Sequence, residues 1–440
     1  MHMRSISKLL VLVPAIVTLG LMGAACGDDD DEETTSGTGG APAGDVDVLG
    51  IWGSEELIKF EGMVEPWQDQ NDGRVNFTGT RGVAAVLTTR VEGGNPPDIA
   101  IPAEVGLFRR FANEGKLTPL SACPGLEQKV RSEYPEDFVE LATVNGQLYG
   151  FFMKADSKAT IWYNPKVFDE ENVEALSANS DFDDLVQLSR RLQQGGVTPW
   201  SMGVEAAADS GWPAGDWVQQ ILLNESGRDV YNGVVEGTIP FSDPRVKDAF
   251  RKFGEIVHTQ GFVLGGPTQV NATNFQNSAF PPFEPSPRAA MVYLLSAASG
   301  FIKDQFPNLQ PETDYDFFPF PGGDVTGGAN IVYAFNSDPG TCSLMTYLAS
   351  AEGQARWVEQ GGFTSVNKEV DLDSYPDAVA RKQANQLLEA DTFVLDLDDA
   401  IGGDVQTAMH AAMTQFIADP GRLDALLANL DSTRAQGGGR

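Results

Sequence analysis

Residues 46–101 read VDVLGIWGSEELIKFEGMVEPWQDQNDGRVNFTGTRGVAAVLTTRVEGGNPPDIAI. Val46-Asp47-Val48-Leu49-Gly50-Ile51-Trp52 is a short strand, and Gly53-Ser54 opens a helix whose Leu57, Phe60, Val64 and Trp67 share one face, which makes Trp67 core. Arg74 to Phe77 is a second strand, Thr80-Arg81-Gly82 turns into another helix, and Gly94-Asn95-Pro96-Pro97 turns into a third, buried strand ending at Ile101. Strand, helix, strand, helix, strand predicts a parallel sheet covered by helices, an α/β fold.

Outward from this unit the pattern continues. Gln147 to Phe152 and Ala159 to Asn164 are extended runs separated by Met153-Lys154-Ala155-Asp156-Ser157-Lys158. Asp181 caps a helix with Phe182, Leu185, Leu188 and Leu192 inward, stopping at Gly195-Gly196. Lys247 to Val257 is another helix, Ala289 to Tyr293 and Ile331 to Phe335 are buried strands, and the chain beyond Ser343 is mostly amphipathic helix. TPWSMGVEAAADSGWPAGDW, residues 198–217, shows neither period and reads as a loop, yet it holds Trp200, Trp212 and Trp217 with Glu205, Asp209 and Asp216. No fixed-period repeat is present, which excludes solenoids and propellers.

The start of the chain sets the compartment. Arg4 and Lys8 precede an apolar stretch, Leu9 to Leu21, that is interrupted by Pro14 and too short to span a bilayer comfortably. Gly23-Ala24-Ala25-Cys26 resembles a bacterial lipoprotein cleavage box, which makes residues 1–26 a signal peptide ending in a lipidated Cys26 and holds the protein at the outer face of the cytoplasmic membrane. The acidic, Gly-rich residues 27–45 read as a flexible tether. The remaining residues are too many for one core, so two lobes are expected. With 62 acidic against 30 basic residues the net charge is −32, which excludes nucleic acid as a partner. Cys123 and Cys342 form either one disulfide or two unrelated buried thiols, and sequence alone leaves both open.

Catalytic signatures are absent: there is no nucleophile elbow, phosphate loop or zinc helix, and three histidines leave no metal cluster. His258 and His410 sit in helical patterns and read as core or surface. Asp396-Leu397-Asp398-Asp399 lacks a calcium loop's Gly and terminal Glu and reads as a solvated face or helix start. A surface glycosidase or polysaccharide lyase using two loop acids is the enzyme alternative. Loops carrying Trp, Asp, Glu, Arg and Lys instead suit a sugar: C–H faces lie on indoles while carboxylates accept from hydroxyls and cations donate. No metal or cofactor is implied.

Gly94-Asn95-Pro96-Pro97-Asp98-Ile99, Asn145-Gly146-Gln147-Leu148-Tyr149-Gly150 and Ile161-Trp162-Tyr163-Asn164-Pro165 resemble the solute-binding lipoproteins of bacterial carbohydrate ABC importers. Thr198-Pro199-Trp200, Gly211-Trp212-Pro213, Asp216-Trp217, Ile239 to Pro244 and Gly361-Gly362-Phe363 are similar to the α-glucoside-binding branch, whereas the run after Glu284-Pro285-Ser286-Pro287-Arg288 is smaller and more apolar than that branch. The resemblance implies a two-lobed periplasmic-binding-protein fold, type II and maltose-binding-protein-like, with an interlobe ligand cleft. It puts residues 46–157 and 321–361 in lobe 1 and 158–320 and 362–435 in lobe 2, with crossings near Ser157, Phe320 and Gly361. The implied ligand is an α-glucoside disaccharide, with a glucosyl-polyol or sulfosugar as alternative. The implied partners are an ABC permease heterodimer and its ATPase, served by a monomer that closes over its ligand.

The same resemblance nominates Trp52, Ser54 and Glu55 after the first strand, Arg81 after the second, and Glu104, six residues beyond Asp98. It adds Asp156 with Lys154 near the hinge, Trp212, Asp216 and Trp217 from the second lobe, Arg288 and Asn330 at strand ends, and Gly361 at a crossing. Asp98 reads as structural, Trp162 and Trp357 as core, and Trp200 as either core or site.

Overall fold

The computed structural model describes residues 44–80 and 82–437, without the side chains of Ser54 and Glu55. The signal peptide, Cys26, the tether before residue 44 and Arg81 lie outside the described residues.

The opening unit forms as its pattern dictates. β1 (Val46–Gly50) pairs in parallel with β2 (Val75–Gly79) and β3 (Ile99–Ile101). Between β1 and β2 runs the helix Ser54–Asn71, which buries Phe60, Met63, Val64 and Trp67. β4 (Thr143–Val144) and β5 (Gln147–Leu148) form a small hairpin ahead of β6 (Gly150–Ser157). The expected break at Met153 to Ser157 is absent: β6 runs straight through it, paired antiparallel with β11 (Val325–Ala334). Alternation explains this, since Lys154 and Asp156 take one face while Met153 and Ala155 take the other. The first sheet has the order β12-β11-β3-β1-β2 with β6 also on β11, where β12 is Phe393–Leu395.

β7 (Thr160–Tyr163), β8 (Trp200–Ser201), β9 (Met291–Tyr293) and β10 (Asp316–Pro319) make a second sheet in the order β10-β7-β9-β8. The chain enters it through Lys158-Ala159 and leaves it through residues 320–324. The two crossings are hydrogen-bonded to each other's surroundings: Lys158 N donates to Thr326 O at 2.8 Å and Phe320 N to Ala159 O at 2.8 Å. Residues 364–366 pair back onto β6, through Ala155 N to Thr364 O at 3.1 Å. The resemblance puts residues 362–435 with the second lobe, but one strand within that range, β12, is parallel to β11 of the first sheet.

Asp181 caps the helix Phe182–Gln194 in a reciprocal capping box with Asp184. The apparent loop 198–217 ends in a helix, Trp212–Ser226, with Pro213 in its first turn. Period is invisible there because the helix buries Ala214, Trp217, Val218, Ile221, Leu222 and Leu223, side chains from nearly its whole circumference. Cys123 and Cys342 are joined in a disulfide, settling the open alternative.

Candidate ligand-binding cleft

Ligands of open parallel sheets collect beyond the carboxyl ends of the strands. Here those ends are Ile51 to Gly53 after β1, Thr80 after β2 and Pro102 to Glu104 after β3. Glu104 is the N-cap of the helix Val105–Asn113, yet its side chain makes no capping bond, and its Oε2 is buried without a hydrogen-bond partner among the described residues. An acceptor so placed is matched by a hydroxyl donor.

β6 carries the next pair. Lys154 Nζ lies 3.4 Å from Asp156 Oδ2 and 3.5 Å from Glu56 Oε1. Its cross-strand neighbour is Asn330 on β11, at a register irregularity. Burial alone would loosen the Lys154 proton, but Asp156 and Glu56 outweigh it and hold the group above the ordinary lysine range. Asp156 Oδ1 also meets Ser296 Oγ at 3.5 Å, from the far side of the crossing.

A further group of nominees lies on the first turn of the helix Trp212–Ser226. Trp212 and Asp216, four residues apart, share a face, whereas Trp217 is rotated about 140° from Trp212. Trp212 stays half-buried, edge-on to Phe275 with centroids 5.0 Å apart. Asp216 is buried against Lys158, whose Nζ lies 3.0 Å from Asp216 Oδ1 and 4.9 Å from the Trp212 ring centroid. Lys158 also pairs with Asp396, and Gln219 Nε2 donates to Asp216 Oδ1 at 2.9 Å. Burial pushes the Asp216 carboxyl up to about 7 against the pull of Lys158. Nearby, His410 Nε2 meets Asp398 Oδ2 at 2.7 Å; burial works to raise Asp398, but this contact keeps it below the ordinary range.

The structure therefore gathers Lys154, Asp156 and Asn330 on adjoining strands and Trp212 with Asp216 on one helical turn. Gly361, with φ +75°, presents its carbonyl to Lys59 Nζ at 2.9 Å. Three nominees sit elsewhere. Trp52 is 1% exposed, in a cluster with Phe60, Phe77 and Trp357, and Trp217 is 1% exposed, packed on Trp200, Tyr293 and Phe320. Both are core residues. The Arg288 side chain is 57% exposed and paired with Glu284, which lines a groove of about 520 Å³ together with Pro287, Lys166 and Phe306 and with no nominee.

Other readings resolve plainly. Asp98 is structural, accepting from Asp47 N at 2.7 Å and Asn336 Nδ2 at 2.6 Å. Trp162, Trp200 and Trp357 are core. Asp396 starts the helix Leu397–Ile401, as one alternative held, but Asp396 and Asp398 are buried and not a solvated face. Lys158 carries no local sequence signal, and the acidic run at Asp396 gives no hint of its pairing with Lys158, which only the folded chain brings about.

The pattern of the family described as bacterial extracellular solute-binding protein matches residues 54–355. The chain belongs to this family. The osmoprotective compounds-binding protein GgtB of Synechocystis sp. is 32% identical over 379 residues, covering 84% of this chain and 88% of the relative. The alpha-glucosides-binding periplasmic protein AglE of Rhizobium meliloti is 28% identical over 394 residues, covering 86% and 84%. Among solved structures, the bacterial solute receptor AcbH superposes with a TM-score of 0.74 at 19% identity, covering 90% of this chain and 98% of the other. Maltose-bound T. maritima MalE3 superposes with a TM-score of 0.65 at 14% identity, covering 88% and 98%. The fold is thus the two-lobed, maltose-binding-protein-like one. As a solute-binding protein this chain is a receptor, not an enzyme, and works outside the cytoplasm. No helix among the described residues is long and apolar enough to cross a membrane.

Proposed function

We propose that this solute-binding protein captures an α-glucoside, a disaccharide of the sucrose, maltose or trehalose size, between its lobes and delivers it to an ABC permease heterodimer driven by an ATPase. What supports the reading is the half-buried Trp212 indole on the first turn of its helix, together with Glu104 after β3 and Lys154 and Asp156 on β6. An aromatic plane and acceptors on opposite walls suit a pyranose, whose C–H face is apolar and whose rim is hydroxylated. The kinship to an alpha-glucosides-binding protein points the same way. In this reading Ser54, Glu55, Arg81, Asn330 and Gly361 complete the contacts, Asp216, itself 1% exposed, backs the Trp212 turn without reaching the ligand, and Cys26 carries the lipid that tethers a monomer to the membrane.

A second reading, a glucosyl-polyol, is favoured by one observation: the 32% identical relative is named for osmoprotective compounds. Calorimetric titration with trehalose, sucrose, maltose and glucosylglycerol separates the two. Heat from disaccharides supports the first, heat from glucosylglycerol alone supports the second, and silence from all four removes the sugar assignment.

A further inference from the structure

Lys158 belongs to no motif, yet Asp216, Asp396 and the Trp212 ring, all far from it in sequence, meet at its ammonium. Its side chain is 11% exposed, that of Asp216 is 2% exposed and that of Asp396 is fully buried. An ammonium taken out of water needs each of its donor directions answered. Asp216 and Asp396 answer with carboxylates, and the Trp212 ring lies 4.9 Å away, within the range of a cation–π contact.

The origins of these groups give the arrangement its meaning. Lys158 is itself the first crossing between the sheets, and its backbone N–H is bonded to Thr326 of β11, just past the second crossing. Asp396 directly follows β12 of the first sheet. Asp216 and Trp212 lie one turn apart on a helix that packs on second-sheet residues through Trp217 and Tyr293, and Tyr293 Oη donates to Asp216 O at 3.2 Å. Gln219 extends the connection, accepting from Leu397 N at 2.6 Å beside Asp396. A swing of the Trp212–Ser226 helix relative to the first sheet has to lengthen contacts at Lys158.

We infer that Lys158 is a positioning residue: with Asp216 and Asp396 it fixes the Trp212 indole as a wall of the cleft and couples that indole to the crossings about which the lobes move. The inference rests on the reading of Trp212 as the sugar platform, but the placement of the ring is testable without any sugar.

The experiment compares wild type with Lys158→Met, Lys158→Arg, Asp396→Asn, Trp212→Phe and the Lys158→Met/Trp212→Phe double variant. Each is labelled with 5-fluorotryptophan and followed by fluorine NMR, in which the Trp212 resonance of the seven tryptophans is the one lost in Trp212→Phe. The Trp212 resonance is expected to shift in Lys158→Met and in Asp396→Asn, although Asp396 does not touch the ring, and to recover partly in Lys158→Arg. With trehalose, maltose or glucosylglycerol, Lys158→Met is expected to weaken binding at least ten-fold. The double variant should be no more than about two-fold weaker than Trp212→Phe alone, because both changes remove the same placed ring. An unshifted Trp212 resonance in Lys158→Met, or multiplicative losses in the double variant, overturns the inference. If Lys158→Met does not fold, Asp396→Asn decides by the same resonance. If wild type binds none of the sugars, the function reading fails and the resonance alone decides this one.

Discussion

Gly211 and His410 touch across 199 residues of sequence: a Cβ on Gly211 would lie 2.1 Å from the His410 carbonyl oxygen. This contact seats the first turn of the Trp212 helix on the helix Gly403–Ala418. It sets the position of the indole immediately following.

Gly211 also sits at φ +116°, where a side chain is strained whatever the space. Gly211→Ala is expected to cost about 1–3 kcal/mol from the backbone, with the clash adding to it. Gly215, one turn on and with no atom near its Cβ position, offers the contrast. Gly215→Ala should gain roughly 0.5–1 kcal/mol from helix propensity. Urea unfolding of the two variants measures both, and equal stabilities would show that the Gly211–His410 contact has slack.

The three tryptophans nominated for the site separate by burial. Trp217→Ala and Trp52→Ala empty packed aromatic clusters and should each cost about 3–5 kcal/mol. Trp212→Ala, at a half-buried ring, should cost about 1–2 kcal/mol and abolish ligand binding. Thermal melts alongside calorimetry check this, and a Trp212→Ala protein with unchanged affinity would place the platform at another indole.

Asp216 gives a pH dependence with a defined sign. Lys158, Asp396, Asp398 and Asp399 surround its carboxyl, which burial holds at about 7, above its ordinary value. A raised carboxyl favours the fold fully below the ordinary aspartate range and loses that contribution as pH rises through about 7. The stability of wild type minus that of Asp216→Asn is therefore expected to fall between about pH 4 and about pH 7, with the change absent outside that window. Denaturant melts at successive pH values test it, and a difference that grows with pH would reverse the assignment.

Reducing the Cys123–Cys342 bond, or replacing Cys342 by Ser, should destabilise the protein by about 2–5 kcal/mol, since the closed loop is long. Neither cysteine contacts a nominated ligand residue among the bonds described, so ligand affinity at a temperature where the variant stays folded should be unchanged. A loss of binding there would show that the bond shapes the cleft.

The fold was legible wherever burial follows a simple period. Residues 46–101 announce themselves because β1 and β3 are short apolar runs and Phe60, Val64 and Trp67 recur at helical spacing. The Trp212 helix escaped because it is buried nearly all round, although Gly211 and Pro213 mark its start. β6 escaped because Lys154 and Asp156 look like turn residues until their alternation is counted.

The site was legible one chain segment at a time. Lys154, Asp156 and Asn330 are brought to adjoining strands and Trp212 is left half-buried at the start of its helix, but loop position could not tell a half-exposed indole from a packed one. Trp52 and Trp217 lie beside cleft segments and point into packing. Nothing local connects Lys158 with Asp396, 238 residues on, because a buried ion pair is a property of the folded topology.

The Cys123–Cys342 bond brackets the whole excursion of the chain through the second sheet, from β7 to β10. A protease that cuts any loop of that excursion leaves two fragments still joined through sulfur. On the exposed side of a membrane, such a receptor can be nicked in its second lobe without shedding it, and a nonreducing gel would show the same mass before and after the cut.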